Sequence, residues 1–193
     1  MKKSNRLFAR LVLAAASLAV GVGAQAQSGL SPGHSYIGLG AGQSDFSLTN
    51  GTGLFASDKR DTAYNVNVGT YFNSNVGVEL GYTDFGQVDR AGGRTKADGF
   101  NLSLLGRLPL NASFNLMGRL GTTYAKTEVT SAAGAGVAAG SERDFGWSYG
   151  VGAEFIFHPQ WSAVLQYEEH DLKFPGGDRD RISAATLSAR YRF

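Results

Sequence analysis

At 193 residues the chain holds one comfortable domain, and with no cysteine it builds neither a disulfide framework nor a thiolate metal site. Its formal charge of +2 is unevenly laid out: Lys2, Lys3, Arg6 and Arg10, four of the 18 basic residues, stand in the first ten positions. Without them 14 basic residues face 16 acidic ones, a charge of −2, and the charge argument for nucleic-acid binding disappears.

The basic start runs into the apolar stretch Leu11–Val22 and then Ala24-Gln25-Ala26. That order predicts a secretory signal peptide over 1–26, cleaved after Ala26; the apolar run is short for a membrane helix. A short polar leader, 27–34, follows. The first predicted strand is Ser35–Phe46, with Ile37, Leu39 and Ala41 alternating against Tyr36, Gly38, Gly40 and Gly42. Ser47–Thr62 is polar and charged and reads as a long loop.

Tyr64–Phe85 carries the clearest signal. Tyr64, Val66, Val68, Thr70 and Phe72 share one face, opposed by Asn65, Asn67, Gly69 and Tyr71. After the turn Asn73-Ser74-Asn75, the residues Val76, Val78, Leu80 and Tyr82 oppose Gly77, Glu79, Gly81 and Thr83. Period-two alternation about a short polar turn predicts an antiparallel hairpin. Its polar face holds Asn, Gly, Thr and Glu, which cannot make a dry core. Its apolar face ends in aromatics, Phe72 at the turn and Tyr82 and Phe85 far from it. A hairpin with lipid outside and a polar lumen inside has this pattern.

The rest of the chain repeats it. Gly86–Asp98 reads as a second long loop and Gly99–Leu108 as a strand with Phe100, Leu102 and Leu104 against Asn101, Ser103 and Arg107. A short turn at Pro109–Ser113 leads to the strand Phe114–Tyr124, and Lys126–Asp144 is a third long loop. Phe145–Phe157 sets Trp147, Tyr149, Val151, Ala153, Phe155 and Phe157 against Ser148, Gly150, Gly152, Glu154 and Ile156. His158-Pro159-Gln160 turns into Trp161–His170, the charged loop Asp171–Asp180 follows, and Arg181–Phe193 is the last strand.

These are eight strands whose connections alternate long and short, with strands of about ten residues, the length of a tilted bilayer crossing. Open edges cannot face lipid, so the sheet must close. The predicted fold is all-β, an eight-stranded antiparallel up-and-down transmembrane barrel over 35–193. Both chain ends lie on the periplasmic side with the short turns. Phe72, Phe114, Phe157 and Trp161 form an aromatic belt there, and Tyr82, Tyr124, Trp147 and Tyr167 form one toward the long loops.

The chain resembles the eight-stranded outer-membrane barrels typified by the transmembrane domain of OmpA. The residues that carry the resemblance are VGVELGY (Val76–Tyr82), the Pro109 turn followed by RLG (Arg119–Gly121), GVGAEFIFHP (Gly150–Pro159) and the terminal SARYRF (Ser188–Phe193). The resemblance implies that Tyr191 and Phe193 are read by the barrel assembly machinery. With nothing following the barrel, the expected architecture is nearer to the stand-alone OmpX-type and opacity-type surface proteins. It also implies an ion-pair network in the lumen built on Glu79, Glu154 and Arg119. Alternation places Arg107, Arg190 and Arg192 on inward faces with them, and Gln166 and Glu168 on the seventh strand. Leu105 and Val164 stand where OmpA has basic lumen residues tied to its gate, so the resemblance does not extend to that switch.

Of three histidines, His34 precedes the first strand, His158 sits in a turn, and His170 lies beside Glu168, Glu169 and Asp171. The last group reads as a solvated strand end, and no catalytic, cofactor or metal site is expected. The sequence is compatible with three functions. The first is a non-enzymatic envelope or surface protein, monomeric, in contact with outer-membrane lipid and lipopolysaccharide and holding a host or envelope ligand with its loops. The alternatives are a small ion or solute channel and, more weakly, a lipid-modifying enzyme.

Overall fold

A computed structural model describes residues 35–46, 60–90, 93–131, 140–174 and 179–193. The segments read as signal peptide and leader, and His34 with them, lie outside the described residues. Eight strands close into a barrel in sequence order: β1 (Ser35–Phe46), β2 (Arg60–Tyr71), β3 (Val76–Arg90), β4 (Gly93–Pro109), β5 (Phe114–Ser131), β6 (Gly140–His158), β7 (Trp161–Lys173) and β8 (Arg179–Arg192). Every neighbouring pair is antiparallel, and β8 pairs with β1 to remove the edges.

The alternation of the sequence is the alternation of the wall. Leu39, Leu80, Leu104, Leu120, Val151, Leu165 and Leu187 are exposed on the outside, a continuous apolar band that water would not tolerate on a soluble protein. Asn65, Asn67, Glu79, Asn101, Ser103, Glu154 and Thr186 are buried on the inside. Leu80→Arg would place a cation in the middle of that outer band. It is expected to lower stability by about 2–4 kcal/mol, read as a shift of the urea midpoint of the barrel in lipid vesicles. A shift below about 0.5 kcal/mol would mean that this surface does not face lipid.

The short turns repeat one device. Asn73 Oδ1 accepts the backbone N–H groups of Asn75 and Val76, both at 2.8 Å, and Asn111 Oδ1 accepts those of Ser113 and Phe114, both at 2.9 Å. Phe193 donates its N–H to the Ser35 carbonyl at 3.0 Å, so the chain's end is tied at the same level.

The predicted long loops are the part the structure corrects. β4, β5 and β6 run to 17, 18 and 19 residues, against about 9–11 for a bilayer crossing. Since the short turns are level, the excess rises at the other end as a wall. The stretch Gly86–Asp98 is hairpin, with β3 and β4 paired up to Arg90 and Gly93. Of the other loops, Ser47–Thr62, Lys126–Asp144 and Asp171–Asp180, only 47–59, 132–139 and 174–178 lie outside the described strands. The physical reason is that charged residues end the apolar band but not the hydrogen-bond ladder. Lys96, Lys126 and Arg143 continue the outward row in water.

A second correction concerns Phe85, read as lipid-facing. It shares the inward parity of Glu79 and Thr83, stands at the bulge between Asp84 and Gln87, and its ring is fully buried inside. Gly86 makes the bulge at φ +79°, a conformation L side chains rarely adopt, and Asp61 Oδ2 accepts the Gln87 N–H at 2.6 Å across the strands.

Candidate functional site

Two layers fill the barrel. The lower one begins with three inward carboxylates on β3, β6 and β7. Glu79 is 1% exposed, and Arg119 on β5 donates to it and, with its other Nη, to Glu168. Arg190 reaches Glu79 at 3.3 Å and Glu154 at 3.6 Å, and Arg192 donates to Glu154 at 2.6 Å. The result is one alternating chain, Glu168–Arg119–Glu79–Arg190–Glu154–Arg192. It carries three negative and three positive charges. Buried charges of this kind persist only when paired and hydrogen-bonded.

Neutral groups complete the bonding. Asn115 and Ser162 donate to Glu154 at 2.7 and 2.8 Å, Gln166 to Glu168 at 3.1 Å, and the Tyr36 hydroxyl to Glu79. The Arg190 guanidinium lies 3.8 Å above the Tyr36 ring, a cation–π contact in a dry site. Leu105 and Val164, each 1% exposed, fill the space beside Arg119 and Glu154, their cross-strand partners.

Arg107 does not join this chain. It sits half-buried at the short-turn end, its guanidinium 4.1 Å above the Tyr71 ring, and donates to the Ser74 carbonyl at 2.9 Å. Its place on an inward face is as read, but it lies near the mouth, where turn carbonyls and not carboxylates are within reach. Glu168 and Arg192 join the chain.

The upper layer is apolar. Phe46, Phe85, Val88, Ala97, Ala125, Leu172, Phe174, Ile182 and Ala184 converge inside the far end of the barrel and are 0–7% exposed. Sequence reading missed this layer because four of its members, Val88, Ala97, Leu172 and Phe174, stand in stretches read as loops. Part of the signal was available: Phe85, Ala97 and Leu172 fall on the inward parity of their strands, whereas Val88 turns inward only because the register shifts at the bulge.

The aromatics sort to the two ends of the outer band. Phe72, Phe114, Phe157 and Trp161 are exposed toward the short turns. Tyr124, Trp147 and Tyr167 are exposed toward the wall, where Tyr82 is half-buried against Phe100 at 5.0 Å. Tyr191 packs on Trp161 at 5.0 Å, and Phe193 is exposed beside it at the chain's end. His158 lies in its turn, accepting the Gln160 N–H at 3.2 Å. His170 is not a solvated strand end: it is fully buried, with Nδ1 2.9 Å from the Thr123 hydroxyl. Among the described residues no three His, Asp or Glu side chains gather as a metal site.

Comparisons with known proteins agree with this architecture. The family model for the outer membrane protein beta-barrel domain matches residues 12–193. No curated protein matches the chain. Among solved structures, Ail, the attachment invasion locus protein of Yersinia pestis, is 26% identical, with 84% of this chain and 100% of that one covered at a TM-score of 0.55. Ail has also been solved in complex with the heparin analogue sucrose octasulfate, and there the identity is 25% and the TM-score 0.54. Neisserial surface protein A is 12% identical over 82% of this chain and 97% of its own, with a TM-score of 0.65. OprG of Pseudomonas aeruginosa is 14% identical over 86% and 99%, with a TM-score of 0.52. A closed eight-stranded barrel with an apolar outside, a charge-paired inside and a family match over nearly its whole length places this chain in the outer membrane protein β-barrel domain family, as a protein of the Gram-negative outer membrane.

Proposed function

We propose that this is a non-enzymatic surface protein, exported by a signal peptide cleaved after Ala26, that acts through the wall and loops at the extracellular end of its barrel. The observation that supports this reading is the filling of the lumen. A balanced ion-pair chain and an apolar layer occupy the interior in series, leaving the exterior as the place for binding. His170 and Thr123 are sealed within, so their pairing serves structure and not turnover. Closure of the sheet suits a monomer, in contact with lipid and lipopolysaccharide along its outer band.

The wall gives a chemistry to the ligand. Lys126 and Arg143 face each other directly across β5 and β6, and Lys173 and Arg179 do the same across β7 and β8. Like charges placed opposite one another repel; Glu128 on Lys126 and Asp144 on Arg179 relieve part of this, and an acidic ligand adds to or displaces those exposed pairs. Together with the heparin-analogue complex of Ail, this favours an acidic saccharide, whether a host glycan or lipopolysaccharide. The test is retention of the refolded barrel on immobilised heparin. Lys126→Ala with Arg143→Ala is expected to weaken retention several-fold at low salt and to flatten its salt dependence. Equal retention of the variant, or none by the native barrel, would contradict the reading.

A further inference from the structure

The inward face of β7 passes Glu168, His170 and Leu172 in succession, from the ion-pair layer through the imidazole to the apolar layer. His170 is 0% exposed, and among the described residues its only hydrogen bond is Nδ1 to Thr123 Oγ1, with no partner for Nε2. The Phe85 ring meets the imidazole edge-on at 4.8 Å. Across the strands its neighbours are Ser148, whose Oγ also lacks a partner, and Ile182. The charged groups that act on it are Glu168 on its own strand and Arg119 on β5. β6 presents Ser148, β8 Ile182 and β3 Phe85, none of them charged.

A neutral imidazole uses one nitrogen as donor and the other as acceptor, so a single bond to Thr123 leaves little unmet. Protonated, both nitrogens donate, and Nε2–H faces no acceptor among the described residues. The nearest carboxylate, Glu168, is already engaged by Arg119 and Gln166. The chain of three carboxylates and three guanidiniums has no spare charge to offer a seventh member.

We infer that His170 is a pH-sensitive latch between the two layers. Its protonation leaves a buried charge without a partner and admits water beneath Phe85 and Ile182, loosening the extracellular end of the barrel while the ion-pair layer stays paired. His170 stands level with Ser148, between the outward Trp147 and Tyr149, at the outer end of the membrane band. A buried imidazole with no acceptor for a second N–H resists taking up a charge, and a hydrated one does not. The opened form takes up a proton near about pH 6.5 and the closed form only at lower pH. Closure is therefore fully favoured above that value and is lost as the pH falls below it.

Amide hydrogen exchange on the refolded barrel in micelles tests this. After correction for intrinsic exchange, protection of Leu172 and Ile182 is expected to fall about tenfold or more between about pH 7.5 and about pH 5. Leu102 and Leu187 in the membrane band should hold theirs, and His170→Asn should abolish the change. Equal protection at both pH values, or the same fall in His170→Asn, would overturn the latch. Should that variant not fold, the native ring is followed by nitrogen NMR. Protection at Leu172 and Ile182 must fall over this range whether or not the closed ring is seen to charge; a ring that titrates with protection unchanged overturns the inference as well.

Discussion

Arg119→Met is expected to lower the free energy of unfolding by about 3–5 kcal/mol, the usual cost of removing one partner from a buried ion pair. The arginine is 8% exposed and each of its two Nη atoms serves a different carboxylate. The two acids do not suffer equally. Glu79 keeps Tyr36 and Arg190, whereas Glu168 keeps Gln166 alone. Most of the loss should then fall on Glu168, and Arg119→Met combined with Glu168→Gln should recover a substantial part of it. Arg119→Lys should not rescue, because a single ammonium on a flexible stem lacks the fork that spans both acids. Urea unfolding followed through Trp147 and Trp161 measures all three. A loss below about 1 kcal/mol for Arg119→Met would mean that the carboxylates are solvated and the lower layer is open.

Phe85→Ala is expected to cost a similar amount, about 3–5 kcal/mol, as a cavity in a packed interior. The ring is fully buried in the apolar layer and also forms the lid over His170. Its removal withdraws apolar contacts from Phe46, Ile182 and their neighbours and leaves space against a polar group. Phe85→Leu fills most of that space and should cost well under half as much. Equal, small effects of the two substitutions would place Phe85 outside the barrel, as its aromatic neighbourhood in the sequence first suggests.

That last point shows what the sequence states plainly and what it hides. Val76, Val78, Leu80 and Tyr82 against Gly77, Glu79, Gly81 and Thr83 define a strand, its faces and its register in one reading. In a membrane the polar side must be the inside. Repeated eight times with alternating connections, the pattern leaves little choice of fold. The ion-pair chain is legible for the same reason: Glu79, Glu154, Arg119 and Arg190 are charges on an inward parity and have only one another to meet.

Height along the barrel is less legible. Parity says which way Arg107 points, not how far it stands from Glu154, and so does not separate a turn-bound arginine from a network member. The ends of the strands are obscured because leaving the membrane changes which residues may face outward without ending the hydrogen-bond ladder. Lys126 and Arg143 look like loop and are strand. With the strand ends misplaced, the inward apolar residues beyond them could not be assembled into a layer, and His170 passed for a solvated group.

A lumen closed by two layers passes no ions, and single-channel recording of the purified, refolded barrel in a planar bilayer tests that most directly. At neutral pH the native protein should give no discrete openings, and Glu79→Ala should weaken the lower layer yet stay silent while the apolar layer holds. Reproducible openings of the native barrel, shifted in size by Glu79→Ala, would show a conducting lumen and contradict the assignment of function to the surface.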